Sequence, residues 1–288
     1  MKCTCKRERR STKAKTKPRT RTRTNLAWTG VVFWALAMAA GVAFTAAGQT
    51  PEEKGLAIAT EAAARDAGWG DMSAELRMVL RNRNGDERTR RMSTRALEVS
   101  DDGDKTLVVF NEPRDVKGTA FLSFSHKEGD DDQWLYLPAL KRVKRITSRN
   151  KSGPFMASEF AYEDISSQEV EKYTYKWLRD EDLDGVDCFV VERYPVDDQS
   201  GYTRQVAWID KAEYRPWKID YYDRKESHLK TLTYSDYQQY LDKFWRASVM
   251  EMTSHQTKKG TRLEWVGYAF GVGLNERDFD KNSLKRAR

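Results

Sequence analysis

The chain has 288 residues, with 51 lysines and arginines against 44 aspartates and glutamates, a formal net charge of +7. A content of 39% hydrophobic and 33% charged residues is typical of a globular protein and excludes a disordered or multi-span membrane protein. The net positive charge comes from the first 24 residues, which hold eleven basic side chains and one acid, whereas residues 49–288 carry a net charge of −3. No nucleic acid is therefore expected as a partner.

An uncharged run from Leu26 to Ala47 follows the basic segment and closes in small residues at 45–48. A basic flank, an apolar stretch and a small-residue end are the features of a secretory signal with its cleavage site. We expect residues 1–48 to be a signal peptide cleaved near Gly48. The alternative is an uncleaved N-terminal membrane anchor, since about 20 apolar residues can span a bilayer. In both cases the rest of the chain is exported.

The exported part, residues 49–288, is expected to form a single domain. Only Cys188 remains after the leader, so no intramolecular disulfide can form and stability must come from the core. About 240 residues are enough for one large core, and no Pro-, Gly- or Ser-rich linker divides them.

The domain is predicted to begin with a helix at 51–67. Thr50 is a good N-cap, Pro51 suits the first helical position, and Glu53 stands three residues after the cap. Gly68 provides the stop. The predicted apolar face, which we expect to lie on a sheet, consists mostly of small side chains: Leu56, Ala59, Ala62 and Ala63.

From Ala74 the apolar and polar residues alternate, which predicts a strand to residue 81 and a hairpin turn at 82–86. Short turns leave no room for crossover helices, so we expect a mainly β protein with about a dozen sequentially wound antiparallel strands, forming a barrel or half-barrel. The remaining predicted strands are 106–110, 119–124, 133–137, 141–146, 173–178, 188–194, 203–209, 217–222, 229–234, 247–253 and 261–270.

Residues 148–165 interrupt this rhythm and are too many for a tight turn. Long loops of this kind are often lids or binding loops. Two interpretations are open: a mobile apolar flap, or an ordinary loop whose Phe155 and Met156 plug the core.

No catalytic or metal-binding motif is found. His126, His228 and His255 are far apart in the sequence, without the spacing of a zinc site. Residues 180–185 resemble the start of a calcium loop, but its twelfth position is Val191 instead of glutamate, so an acidic hairpin turn is favoured. Nucleophile elbows and glycine-rich phosphate loops are also missing. We expect a non-enzymatic protein with no metal and no cofactor.

The most basic stretch of the exported part is the predicted strand at 141–146. Its cations could bind an anionic headgroup or an acidic partner. They could equally be the solvated charges that protect an edge strand from aggregation. These side chains are Lys141, Arg142, Lys144 and Arg145.

Two segments, Asp130–Ile146 and Gly153–Phe160, resemble the family of outer-membrane lipoprotein-sorting proteins, and the resemblance covers residues 51–288. It implies a LolA/LolB-like fold, in which a curved, unclosed antiparallel sheet with helices over its concave face surrounds an apolar cavity for acyl chains. It also implies a Gram-negative periplasm and a partnership with exporters of the resistance-nodulation-division type. Further matching segments are 169–173, 201–206, 222–225 and 279–284.

The resulting prediction is a periplasmic carrier that binds lipid or lipoprotein acyl chains for transport between the inner and outer membranes. The alternative is a non-enzymatic accessory subunit that docks on such an exporter through the basic strand and the 148–165 loop. The candidate lipid-binding residues are Leu76, Met78, Leu80, Val108, Phe110, Phe121, Trp134, Tyr136, Phe155, Met156 and Phe160.

Overall fold

The computed structural model describes residues 48–282 and 284–286, so the predicted leader lies outside the described residues. The first element is helix α1 (Pro51–Asp66), which begins with the predicted capping box: the Thr50 hydroxyl accepts from the backbone N–H of Glu53, and the Glu53 carboxylate accepts from the N–H of Thr50. Among the described residues, no helix is long and apolar enough to cross a membrane.

The face of α1 that packs on the sheet differs from the predicted one. Gly55 and Ile58 are buried, whereas Leu56 is 49% exposed and Ala63 is also exposed. Glycine is required at position 55, because a Cβ there would lie 2.7 Å from the backbone nitrogen of Trp177. The helix therefore lies directly against the backbone of the strand that carries Trp177.

Thirteen strands form one antiparallel sheet, which confirms the mainly β fold class and the sequential winding. Twelve strands were predicted, and the strand that returns from the first hairpin was missed. The strands are β1 (Asp71–Arg81), β2 (Glu87–Leu97), β3 (Lys105–Glu112), β4 (Ala120–Phe124), β5 (Asp132–Leu137), β6 (Arg142–Ile146), β7 (Tyr173–Leu183), β8 (Val186–Pro195), β9 (Tyr202–Asp210), β10 (Pro216–Asp223), β11 (His228–Tyr240), β12 (Phe244–Ser254) and β13 (Gly260–Phe270).

The sheet is not closed. Its strand order is β6-β5-β4-β3-β2-β1-β13-β12-β11-β10-β9-β8-β7, so β6 and β7 are the two edges. The connection between them, residues 147–172, bridges the two ends of the sheet through side chains. Lys172 pairs with Asp131 from the β5 side, and Lys151 pairs with Asp197 from the β8 side.

Side chains from the two faces of the sheet form separate cores. We call the face that contacts α1 and residues 148–165 the inner face. The main core lies there and includes Met78, Phe110 and Met252. The outer face of β3 and β4 is covered by the C-terminal segment through Phe279 and Leu284.

Candidate functional site

A cavity with a volume of about 790 Å³ lies inside the sheet, beneath α1. This volume falls within the usual range of about 300–1,000 Å³ for small-molecule sites. Its walls come from α1 and from strands on both sides of the β1–β13 junction. Apolar and aromatic lining residues are Ala59, Ala62, Ala63, Met72, Ala96, Val191, Ala207, Ile209, Ile219, Tyr234, Tyr237, Trp245, Ala247, Met250, Trp265 and Tyr268.

Small side chains on opposing elements account for the empty space. Alanines 59, 62 and 63 of α1 face the cavity, and Ala207 and Ala247 do so from the sheet. The wall between them is a row of directly paired neighbours: Val191 of β8 pairs with Ala207 of β9, which pairs with Ile219 of β10. This end of the inner face is therefore apolar but not filled.

Residues 148–165, which we call the plug, fill the other end of the inner face. Phe155 is 1% exposed, and its ring lies 5.2 Å from that of Phe121 and 6.0 Å from that of Phe110, centroid to centroid. Phe160 is buried in the same cluster. Of the two interpretations of this loop, the structure shows the plug and not a flap standing off the core.

A buried ion pair fastens the plug to the sheet. The Lys230 ammonium of β11 lies 2.6 Å from a carboxylate oxygen of Asp164, and only 6% and 4% of the two side chains are exposed. Asp164 also accepts from the Tyr202 hydroxyl at 2.8 Å and from the backbone N–H of Ala161 at 2.7 Å. Lys230 donates a second bond to the carbonyl oxygen of Glu159 at 2.9 Å. Every charge in this cluster is thus hydrogen-bonded.

An arginine stands where the cavity meets the plug. Arg193 of β8 pairs directly with Tyr175 of β7 and Gln205 of β9, and it lines the cavity. Its Nε donates to the Gln205 Oε1 at 2.7 Å, and its guanidinium carbon lies 4.8 Å from the centre of the Tyr173 ring. Burial lowers the pKa of Arg193, but nearby tyrosines more than compensate and the net pKa is raised, so the side chain stays charged.

Three other cations around the cavity are neutralised by carboxylates. Arg65 lies 2.8 Å from Glu61, Arg215 lies 2.7 Å from Asp210, and Arg246 pairs with Asp66. No carboxylate pairs with Arg193 among the described residues. Within the described part of the chain, the half-buried Arg193 is therefore a lining cation without a carboxylate partner, whereas Lys243, which also lines the cavity, donates to the carbonyl oxygen of Ala67.

One carboxylic acid in the wall has a strongly shifted pKa. Burial, reinforced by the negative charge of Glu169, raises the pKa of Asp104 to about 7, against a hydrogen bond from the backbone N–H of Val99 that lowers it. Asp104 is therefore only partly ionised near neutral pH.

Two tryptophans in the wall have buried indole N–H groups without an acceptor in the described structure, those of Trp245 and Trp265. An unsatisfied buried donor costs about 1–3 kcal/mol. The part of the cavity wall formed by Trp245 and Trp265 therefore consists of large aromatic side chains whose indole N–H groups make no hydrogen bond in the described structure.

None of the eleven residues predicted to contact lipid lines this cavity. Seven are buried in the inner core around the plug: Leu76, Met78, Val108, Phe110, Phe121, Phe155 and Phe160. Leu80 and Met156 pack against that core. Trp134 and Tyr136 lie on the outer face with the C-terminal segment, because a period-two pattern does not reveal which face of a strand points inward.

The basic residues Lys141, Arg142, Lys144 and Arg145 are exposed at the edge of the sheet, on β6 and the turn before it. Arg145 lies 2.5 Å from Asp132 of the neighbouring strand. The acidic segment at 180–185 comprises the end of β7 and the two-residue turn to β8, Asp184 and Gly185, so it is part of a hairpin.

Sequence reasoning missed Arg193 and the tyrosines of β11, although one signal was present. Phe189, Val191 and Arg193 share one face of β8, and Arg193 interrupts that apolar series. A charge in the apolar series of a strand indicates a buried polar site.

Known proteins resemble this chain in both sequence and fold. A family model described as "Uncharacterized protein" matches residues 102–286. A domain from Vibrio parahaemolyticus, named provisionally an outer membrane lipoprotein-sorting protein, is 60% identical; the match covers 82% of this chain and 100% of that one, with a TM-score of 0.80. A DUF1329 family protein from Desulfovibrio piger is 32% identical over 82% of this chain and 99% of its own, with a TM-score of 0.77. No curated protein matches the chain.

A more distant likeness concerns the fold alone. A LolA superfamily protein from Nitrosomonas europaea is 20% identical, with a TM-score of 0.64 over 78% of this chain and 97% of that one. An unclosed antiparallel sheet with a helix over an internal cavity is accordingly a LolA-like fold. The chain belongs to the family of outer-membrane lipoprotein-sorting proteins.

Proposed function

We propose that this protein is a non-enzymatic periplasmic carrier that binds the acyl chains of a lipid or lipoprotein and transports them between the inner and outer membranes. The observation that carries the proposal is the cavity of about 790 Å³ beneath α1, walled by small apolar and aromatic side chains. Burial of an acyl chain contributes about 0.8 kcal/mol per CH₂, so such a wall can bind tightly without a polar motif.

The lipid contacts are assigned to the cavity wall rather than to the eleven residues predicted from the sequence. Those residues pack around the plug or on the outer face and do not line the cavity. In the cavity, Ile219 and Met250 supply aliphatic contacts, and Tyr237, Trp245 and Tyr268 supply aromatic surface. The plug residues serve this function indirectly, because they hold the sheet in the curvature that leaves the other end empty.

The proposed compartment rests on the predicted leader at residues 1–48 and on the name of the Vibrio parahaemolyticus relative, which refers to the sorting of outer membrane lipoproteins. Export by a cleaved signal and retention by an inner-membrane anchor both place the cavity in the periplasm. A diacyl lipid or acylated protein is the cargo that such a location offers.

Native mass spectrometry of the protein purified from periplasm, followed by organic extraction, tests the carrier. We expect a stoichiometric lipid adduct. Ala63→Trp would place an indole in the cavity and should reduce the adduct at least several-fold, whereas Ala64→Trp is the matched control, since Ala64 is exposed on the same helix and does not line the cavity. A wild-type mass that stays free of adduct after incubation with membrane lipids would overturn the proposal.

The alternative function is docking on a resistance-nodulation-division exporter. The observation that favours it is the exposure of Lys141, Arg142, Lys144 and Arg145 at the sheet edge. Replacing the four by glutamine should abolish capture of the exporter if docking is the function and should leave the lipid adduct unchanged if the protein is a carrier.

A further inference from the structure

The two ends of the cavity differ in their lining: Arg193 lies at one end and large aromatic side chains lie at the other. The end with Arg193 is also bounded by residues 165–168 of the connecting segment and by Tyr175. Tyr175 donates its hydroxyl to the carbonyl oxygen of Val170 at 3.1 Å. The other end is walled by aromatic side chains, among them Trp265 and Tyr268, whose rings stack with their centroids 5.7 Å apart.

The strand register explains why Arg193 lies at the end of the cavity that is bounded by residues 165–168. Direct pairing runs from Arg193 to Gln205, then to Tyr221 and Lys230, so these four side chains form one row on the inner face. Lys230 is already beneath the plug, where it pairs with Asp164. Arg193 lines the cavity, as does Tyr175, its direct partner on β7, whereas Gln205, Tyr221 and Lys230 do not.

The donors of Arg193 are only partly used. Its Nε donates to Gln205, and no hydrogen bond from its two terminal nitrogens occurs within the described part of the chain. Lys230, in the same row, has a carboxylate, and so do Arg65, Arg215 and Arg246 around the cavity. Arg193 is half-buried, and a charge that is partly removed from water is stabilised when a counter-ion binds it.

We propose that Arg193 binds an anionic oxyacid group, a carboxylate or a phosphate, in the cavity, and that the cargo is accordingly an anionic lipid. The planar guanidinium offers two parallel N–H groups that match two oxygens of such a group. The acyl chain then extends from Arg193 over the apolar row of Val191, Ala207 and Ile219. This inference rests on the proposed carrier function and adds the chemical class of its ligand.

Two probes with the same chain and different heads test the inference. Delipidated protein is titrated with oleate and with oleyl alcohol, each displacing a fluorescent fatty acid. We expect wild-type protein to bind oleate at least tenfold more tightly than the alcohol, because hydrogen bonds to charged groups are the strong ones. Arg193→Gln should weaken oleate binding tenfold or more and leave the alcohol unchanged, and Arg193→Lys should retain part of the preference.

Arg65→Gln is the matched control, since Arg65 also lines the cavity but is paired with Glu61. Thermal unfolding of each variant shows that it is folded. If wild type binds both probes equally and Arg193→Gln changes neither affinity, the anion site is refuted while the carrier stands. If wild type binds neither probe, the carrier itself fails.

Vesicle titrations then identify the source of the anionic group. Phosphatidic acid in neutral phosphatidylcholine vesicles is compared with diacylglycerol in the same vesicles. Extraction of phosphatidic acid that depends on Arg193 assigns a phosphate, whereas dependence on Arg193 for oleate alone assigns a carboxylate. Extraction of both lipids without any effect of Arg193→Gln contradicts the proposal.

Discussion

Lys230→Met removes one partner of the ion pair that fastens the plug, and we expect it to lower the free energy of unfolding by about 3–5 kcal/mol, the usual effect of leaving one charge of a buried pair uncompensated. The pair is 2.6 Å long with both side chains almost fully covered. Asp164 would keep the hydroxyl of Tyr202 and the N–H of Ala161, and Glu159 would lose the donor to its carbonyl oxygen. Urea denaturation at pH 7 measures the change.

The double variant Lys230→Met with Asp164→Asn distinguishes the ion pair from packing. Since it removes both charges, it should be more stable than the sum of the two single losses predicts, with a coupling energy of about 0.5–3 kcal/mol. Hydrogen exchange should show faster opening of residues 148–165 in Lys230→Met than in the wild type.

An exposed ion pair serves as the control. Arg91 and Glu112 lie 3.6 Å apart with about two-thirds of each side chain in solvent. Arg91→Met should change stability by less than about 1 kcal/mol. If Lys230→Met costs no more than Arg91→Met, the plug is not held by the buried pair and our account of this end of the sheet is refuted.

Two further predictions concern helix α1 and the cavity wall. Gly55→Ala should destabilise the protein by about 1 kcal/mol or more, because the new Cβ would lie 2.7 Å from the backbone of β7. In a helix that does not pack so closely, the same change normally stabilises. Thermal unfolding measures the effect, with Ala57→Gly at an exposed position as the control, and a rise in stability of Gly55→Ala would contradict the close packing of α1 on β7. Asp104→Asn should remove a pH dependence: since the folded pKa is raised to about 7, the wild type loses stability as pH rises from about 4 to 7, by at most about 1.4 kcal/mol per unit, and the variant should not. Equal slopes of stability against pH in the two proteins would show that Asp104 titrates normally.

The sequence was sufficient for the fold class because hydrophobic alternation and short turns are local signals. It predicted twelve of the thirteen strands, and the strand it missed shows the limit of that signal. Strand β2 contains four arginines, and its only apolar residues are Met92, Ala96 and Leu97, so the alternation of apolar and polar residues along it is weak. Its identity as a strand comes from its two neighbours, β1 and β3, which supply hydrogen bonds along its whole length.

The site was harder to predict because an empty space leaves no direct trace in a sequence. Large apolar residues such as Phe110 and Phe155 are the obvious candidates in the sequence, yet they pack around the plug and do not line the cavity. The cavity arises where Ala62 and Ala207 are too small to meet across the interior. Which alanines face each other depends on strand register and on the position of α1, and both are properties of the folded chain.

The division of one sheet into a filled and an empty end separates stability from binding. The plug end has the aromatic cluster around Phe155 and the buried ion pair, so variants such as Lys230→Met should change unfolding in the absence of ligand. The cavity end contributes fewer contacts, so a bound lipid should add stability there according to RT ln(1 + [L]/Kd). Lipid should therefore raise the melting temperature of wild type and of Ala64→Trp, but not that of Ala63→Trp. A rise in melting temperature of the same size in all three proteins would mean that lipid binds outside the cavity. The assignment of stability to the plug end and of binding to the cavity end would then be wrong.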